Sequence, residues 1–220
     1  MSALIKALRP FASCDIGDAL VKLKYPLGGY LDGISIWSPV RQGTGASPAI
    51  IGEATTVKMV AADDAAAPTP TKHFADSTES GKIMYIQQPK KLYSACFGGL
   101  MATRLKASGA AGVVIDGRFR DIQEIQDLKF PLFARGNSIL GSNTFTKASE
   151  LNVALEFKDG LYINPGDIIV GDQDGVVVVP PSLVEQVVQL CEERKKIDER
   201  TLDDLNGGAE MGPTIKKYRK

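Results

Sequence analysis

The run Gly112-Val113-Val114-Ile115-Asp116-Gly117 limits the possible folds more than any other stretch of the chain. Its apolar residues are consecutive rather than alternating, so the strand they form must be covered on both faces, as parallel strands usually are. Ahead of it, Gly98-Gly99 precede Leu100 to Ser108, an amphipathic helical stretch closed by Gly109. Lys82-Ile83-Met84-Tyr85-Ile86 reads as a short strand before that. Strand, helix and apolar strand make a βαβ unit, placed at residues 82–121.

The rest of the chain arranges itself around this unit. Residues 1–24 are expected to hold two helices, the first carrying Leu4, Ile5, Leu8 and Phe11, the second Ile16, Ala19, Leu20 and Leu23. Ser13 or Asp15 is the candidate cap between them, and Pro26, Gly28 and Gly29 stop the second helix. Ser47 to Val60 reads as a proline-led strand, residues 61–80 as a surface loop or short helix, and Phe130 to Arg135 as another strand, followed by a Gly/Ser/Asn loop at 136–144. From 151 to 180 the pattern becomes antiparallel: Val153, Leu155 and Phe157 alternate, and Asp159-Gly160, Pro165-Gly166-Asp167 and Asp172-Gln173-Asp174-Gly175 are turns. Ser182 to Leu202 reads as a terminal helix, Gly207-Gly208 break it, and a basic tail ends the chain within residues 181–220. No linker divides the 220 residues, so the expectation is one α/β domain with a β-rich C-terminal half.

Composition removes several function classes. The chain has 26 basic and 26 acidic side chains, and zero net charge supplies no field to gather nucleic acid or an anionic membrane. No apolar run reaches the ~18 residues of a membrane span, and no secretory leader is evident. His73 is the single histidine, which excludes multi-histidine metal sites; it reads as a solvated loop residue. Cys14, Cys96 and Cys191 are too few and too scattered for a disulfide framework, which fits reduced thiols in the cytoplasm.

The candidate chemistry lies in the βαβ unit. A helix starting at Gly98-Gly99 offers backbone N–H groups and a positive dipole end to a carboxylate or phosphate. Ligands of open parallel sheets bind at the carboxyl ends of the strands, where the chain passes through Asp116-Gly117-Arg118-Phe119-Arg120-Asp121. The helix start and a loop with two arginines and two aspartates are therefore expected to face one crevice. This set suits a 2-oxo acid: arginine grips its carboxylate bidentately, and a lone aspartate holds a hydrated Mg²⁺. Other signals are weaker. Asp172 to Gly175 opens like a calcium loop, but Leu183 stands where the glutamate ligand is required. Gly43-Thr44-Gly45 is an incomplete dinucleotide fingerprint, the basic tail reads as a solvated end, Trp37 and Phe11 as packed aromatics, and Cys96 as a packed thiol.

With these residues in view, the chain resembles the RraA-like family, which includes the class II pyruvate aldolases acting on 4-hydroxy-4-methyl-2-oxoglutarate and decarboxylating oxaloacetate. The resemblance rests on Gly98 to Arg104 and Gly112 to Asp121. It extends to Cys14 to Leu20, Ile51 to Val57, and Pro165 to Pro180. The Gly-Gly-Leu-Met form with Gly-Arg-x-Arg-Asp is most similar to fungal members. It implies a swivelling β/β/α fold and a homotrimer, or a hexameric dimer of trimers, with sites at subunit clefts. It also implies a small 2-oxo acid substrate and Mg²⁺ or Mn²⁺ as cofactor. By match, Arg120 and Asp121 are catalytic: Arg120 binds the pyruvyl carboxylate and keto oxygen, and Asp121 ligates the metal. Gly98, Gly99, Leu100 and Met101 line the substrate, whose carboxylate meets the amides of 99–101. One departure stands out, because many family members carry Asp or Glu at position 99 to hold a metal-bound water. Two alternatives accompany the lyase reading: a non-catalytic binding or regulatory protein, and an enzyme of this fold with another 2-oxo acid substrate.

Overall fold

The computed structural model describes residues 2–39 and 50–219, so Gly43-Thr44-Gly45 and the first residues of the proline-led strand lie outside the described residues. Strand β1 (Ser35–Ser38) forms one edge of the main sheet. After it come β2 (Ile50–Ala61), β3 (Ile83–Gln87), β4 (Gly112–Phe119), β5 (Leu132–Asn137) and β6 (Thr146–Leu151). Next are β7 (Leu155–Lys158), β8 (Leu161–Ile163), β9 (Ile168–Gly171) and β10 (Val176–Val179). The helices are α1 (Ala3–Leu8), α2 (Ser13–Lys22), α3 (Gly99–Ala107), α4 (Ile122–Asp127), α5 (Val184–Asn206) and α6 (Met211–Tyr218).

The strand order is β1-β5-β4-β3-β2-β9-β10, with β2 to β5 parallel and β1, β9 and β10 antiparallel to their neighbours. The long β2 joins two regions, pairing β9 through Ile50 to Glu53 and β6 through Val57 to Ala61. The sheet curls into a half-barrel, and β7 and β8 form a separate hairpin turning at Asp159-Gly160, both with positive φ.

Alternation along the strands sorts three cores. Met84, Ile86, Val113 and Ile115 face α3 through Ala102 and Leu105. Tyr85, Val114 and Phe133 face the β7–β8 hairpin through Leu155, Phe157, Leu161 and Ile163. Val170, Val177 and Val179 face α1, α2 and α5 through Leu8, Ile16, Leu20, Val184 and Val187. The buried-on-both-faces reading of Val113 to Ile115 is thus met by α3 on one side and the hairpin on the other.

Both N-terminal helices form as expected, and Asp15 serves α2 as the cap partner, its carboxylate accepting from the Ala12 N–H at 3.0 Å. Ser13 instead donates its hydroxyl to the Asp172 carboxylate at 2.6 Å. The basic tail is also structured: α6 folds back on α5, with Lys217 2.8 Å from Asp204 and Arg219 2.7 Å from Asp198. His73 caps a short 3-10 turn at Phe74–Asp76, its Nδ1 accepting from the Ala75 N–H.

Candidate active site

Strand β4 does not end at Gly117 but runs to Phe119, which separates the two arginines and two aspartates expected to share a crevice. Asp116 is buried and pairs with Arg135 beside Tyr85 and the hairpin, whose Phe157 lies under the Arg135 guanidinium. Arg118 donates to the Asn137 carbonyl at 3.0 Å. Only Arg120 and Asp121 reach the start of α3.

What brings them there is a short extension of the sheet. The Cys96 N–H donates to the Arg118 carbonyl at 2.9 Å, the Arg120 N–H to the Phe97 carbonyl at 3.0 Å, and Phe97 bridges Phe119 in parallel. The segment before Gly98 thus runs alongside the end of β4, and residues some twenty positions apart in sequence become neighbours. Asp121 sits at φ 64°, ψ 45°, the left-handed region that aspartate tolerates better than most residues but still at some cost. That backbone turn starts α4 and swings the carboxylate back over α3, where Oδ2 accepts from the Gly99 N–H at 2.9 Å.

The glycines are there because side chains cross them. A β-carbon on Gly98 would lie 2.6 Å from Asp121 Oδ2 and 3.5 Å from Arg120 Nε. One on Gly141 would lie 2.8 Å from Arg120 Nη1, so the guanidinium passes between two bare backbones. At Gly99 a β-carbon would overlap the carboxylate of Glu124, 3.2 Å from its Cδ. Glu124 therefore fills the place that an acidic side chain at position 99 would take. Sequence reading missed it; the available signal was the i, i+3 spacing from Asp121, which stacks both carboxylates on one side of a helical turn.

Gly98, Arg120, Asp121 and Gly141 border a cavity of about 80 Å³ lined also by Cys96, Leu100 and Met101, while Glu124 lies over Gly99 outside that lining. A liquid water takes roughly 30 Å³, so the space suits a fragment of a few heavy atoms. Of the three amides expected to receive a carboxylate, Gly99 N–H is donated to Asp121 and Met101 N–H to the Gly98 carbonyl at 3.1 Å. Cys96 is wholly buried, which pushes its thiol up to about 12 and makes it a packing group rather than a nucleophile. Among the described residues no group of three His, Cys, Asp or Glu converges as a ligand cluster. Asp121 is the carboxylate here that could hold a hard divalent ion keeping most of its waters, not a closed cage.

The chain thus sets an arginine and two carboxylates at a helix start on a mixed sheet. The chain belongs to the RraA-like family, whose model, described as Aldolase/RraA, matches residues 13–178. It is similar to "Uncharacterized protein MJ0644" of Methanocaldococcus jannaschii, 37% identical over 157 residues, covering 70% of this chain and 73% of that protein. It is 32% identical over 169 residues to a Halalkalibacterium halodurans protein named "Putative 4-hydroxy-4-methyl-2-oxoglutarate aldolase", covering 77% of this chain and 78% of the relative. Among solved structures, an uncharacterized protein from Pseudomonas syringae superposes with a TM-score of 0.83 at 26% identity, covering 98% of this chain and 94% of that one. Streptomyces coelicolor RraAS2, titled an unusual member of the RNase ES inhibitor RraA family, gives 0.77 at 23% identity over 91% of this chain and 96% of its own, a likeness of fold.

Proposed function

We propose that this chain is a divalent-metal-dependent carbon–carbon lyase that releases pyruvate from 4-hydroxy-2-oxo acids and decarboxylates oxaloacetate at the same site. The observation that carries this reading is the meeting of Arg120 and Asp121 with the Gly98-Gly99 helix start around one small cavity, with Glu124 over Gly99 beside it. The names of several relatives support it. Mg²⁺ or Mn²⁺ held by Asp121 would supply a Lewis acid for the negative charge that builds on the 2-oxo group.

The chain's own groups do the rest. Arg120 grips the substrate carboxylate and 2-oxo oxygen, and its charge is worth more in a partly closed cavity than in water. Leu100 and Met101 cover the reacting carbons. Glu124 accepts the proton of the C4 hydroxyl as the C3–C4 bond breaks, then returns a proton to C3 of the pyruvate enolate. In oxaloacetate the departing group is carbon dioxide, and the proton added to C3 is drawn from water through Glu124.

The same reading includes an assembly of three copies, or two such rings, in the cytoplasm. Leu100, which lines the site, is 88% exposed and Ile139 is 90% exposed, apolar surface that suits burial against a second copy. All three cysteines are unbridged, in keeping with a reducing compartment.

The test is pyruvate release from oxaloacetate by chelator-treated protein, with and without added Mg²⁺ or Mn²⁺. Metal-restored turnover above the metal-only rate is expected, and Asp121→Ala is expected to abolish it. Absence of turnover in the unaltered protein, or full activity in the variant, would overturn the assignment.

A further inference from the structure

Beyond Met101 and Ser142, which both cavities share as walls, the candidate site adjoins a second and larger space of about 410 Å³. That volume falls in the range of pockets for drug-sized ligands and exceeds what a three-carbon fragment needs. Buried Met59 and Phe74 and half-buried Met101 give it an apolar floor beside buried Thr146, while Lys72, His73 and Lys147 line its more exposed side.

The electrostatics are one-sided. Among the described residues, no Asp or Glu lines the space. The nearby Asp76 is engaged by Arg104 at 2.5 Å. Lys147 donates to the backbone carbonyl of Asp64 at 2.7 Å, which leaves its charge without a carboxylate there. His73 Nδ1 accepts from the Ala75 N–H, so a neutral ring carries its proton on Nε2 and is a donor. An apolar floor under a cationic, donor-rich mouth fits a short aliphatic chain that ends in a carboxylate.

We infer that this space receives the half of the substrate that leaves as an aldehyde. The preferred substrates are then 4-hydroxy-2-oxo acids whose C4 carries an aliphatic chain of several carbons with a terminal carboxylate. This rests on the lyase reading above and adds the substrate class to it. The reaction balances without a co-reactant. The C4 hydroxyl proton goes to the site base, the C3–C4 pair flows into the pyruvate enolate, C4 becomes the aldehyde carbonyl, and C3 takes a proton. Residues Thr69 to Phe74, which supply half of the lining, lie in the loop between β2 and β3, so that loop sets the choice of substrate.

The experiment compares pyruvate release from oxaloacetate with release from 4-hydroxy-2-oxo acids bearing methyl, propyl or carboxyethyl at C4. Each buried methylene is expected to raise kcat/KM about fourfold, and the terminal carboxylate to raise it further. Lys72→Ala is expected to cost the carboxyethyl substrate about tenfold, the size of a lost charge-assisted contact, through KM. It should leave the methyl substrate and oxaloacetate unchanged, and Lys72→Arg should restore most of the loss. Turnover of oxaloacetate without any dependence on the C4 group overturns this inference and leaves the lyase reading standing. A Lys72→Ala loss spread equally over all substrates overturns it as well. Absence of metal-restored oxaloacetate turnover removes both.

Discussion

A side chain at position 99 and the carboxylate of Glu124 cannot occupy the same space, so glycine and glutamate act here as a matched pair. Where the family resemblance implies an acid on the helix start, this chain brings one across from α4. Two consequences separate this from a chance contact. Glu124→Gln keeps the shape and removes the base, and is expected to lower oxaloacetate turnover by about 10²-fold or more, the usual scale for general acid–base catalysis. Gly99→Ala pushes the carboxylate aside and should cost about tenfold while thermal stability holds, since a base displaced by even an ångström works poorly. Combined, the two changes should cost little more than Glu124→Gln alone, because both disable one group. Multiplicative losses in the double variant would show that position 99 and Glu124 act separately. Arg120 and Asp121 were legible in the sequence because they follow an apolar strand and face a glycine helix start. Glu124 was not, because the i, i+3 spacing from Asp121 means little without the left-handed backbone at Asp121 that sets its placement.

At the scale of elements, the legible parts were those with a strong period or a glycine stop: α2, α3, the apolar core of β4, the turn at Asp159-Gly160 and the long α5. The end of β4 was misread because glycine looks like punctuation. Gly117 is instead a strand residue without a side chain, since a β-carbon there would lie 2.5 Å from Gln88 Oε1. Helix α4 buries one apolar residue, Ile125, and Thr146 to Leu151 in β6 lacks a clean alternation, so neither gives a signal above background. The Pro165-Gly166-Asp167 turn was legible, but not its electrostatics. Asp167 is buried at the start of β9, and burial pushes its carboxyl pKa up, partly offset by hydrogen bonds from the Asn164 N–H at 2.8 Å and side-chain amide at 3.1 Å. A raised folded-state pKa means that the folded chain holds this proton more tightly than the unfolded one. The favourable contribution is complete below the ordinary carboxylate range near 4 and is lost as pH rises through the raised value. At neutral pH the ionised group is therefore a cost. Asp167→Asn keeps an acceptor for the Asn164 N–H and removes the charge. Thermal unfolding should show the variant melting a few degrees higher at pH 7, with the gap closing as the pH falls below about 4. A gap that stays constant with pH would mean that the turn, not the charge, sets the difference.

Over the whole molecule, three cores satisfy the apolar faces of the strands, yet the surface around the candidate site does not look finished. Leu100, which lines the cavity that Arg120 and Asp121 border, is largely exposed, as are Ile139 and Tyr93, and Leu140 is 39% exposed just before the lining Gly141. They sit on a chain with no net charge, which offers little repulsion against self-association. This arrangement fits the proposed assembly, in which a second copy covers the rim and closes the site against water, raising the strength of every charge inside it. Ile139→Glu tests the link between assembly and chemistry, because the side chain is 90% exposed and its replacement removes no internal packing. Far-UV circular dichroism and the melting of the isolated chain should then show a folded protein. Light scattering should show its mass falling from that of a trimer or hexamer to that of one chain, and oxaloacetate turnover should fall with it. An unaltered protein that is monomeric at micromolar concentration and still turns over would place the whole site on one chain. The exposed rim would then need another occupant.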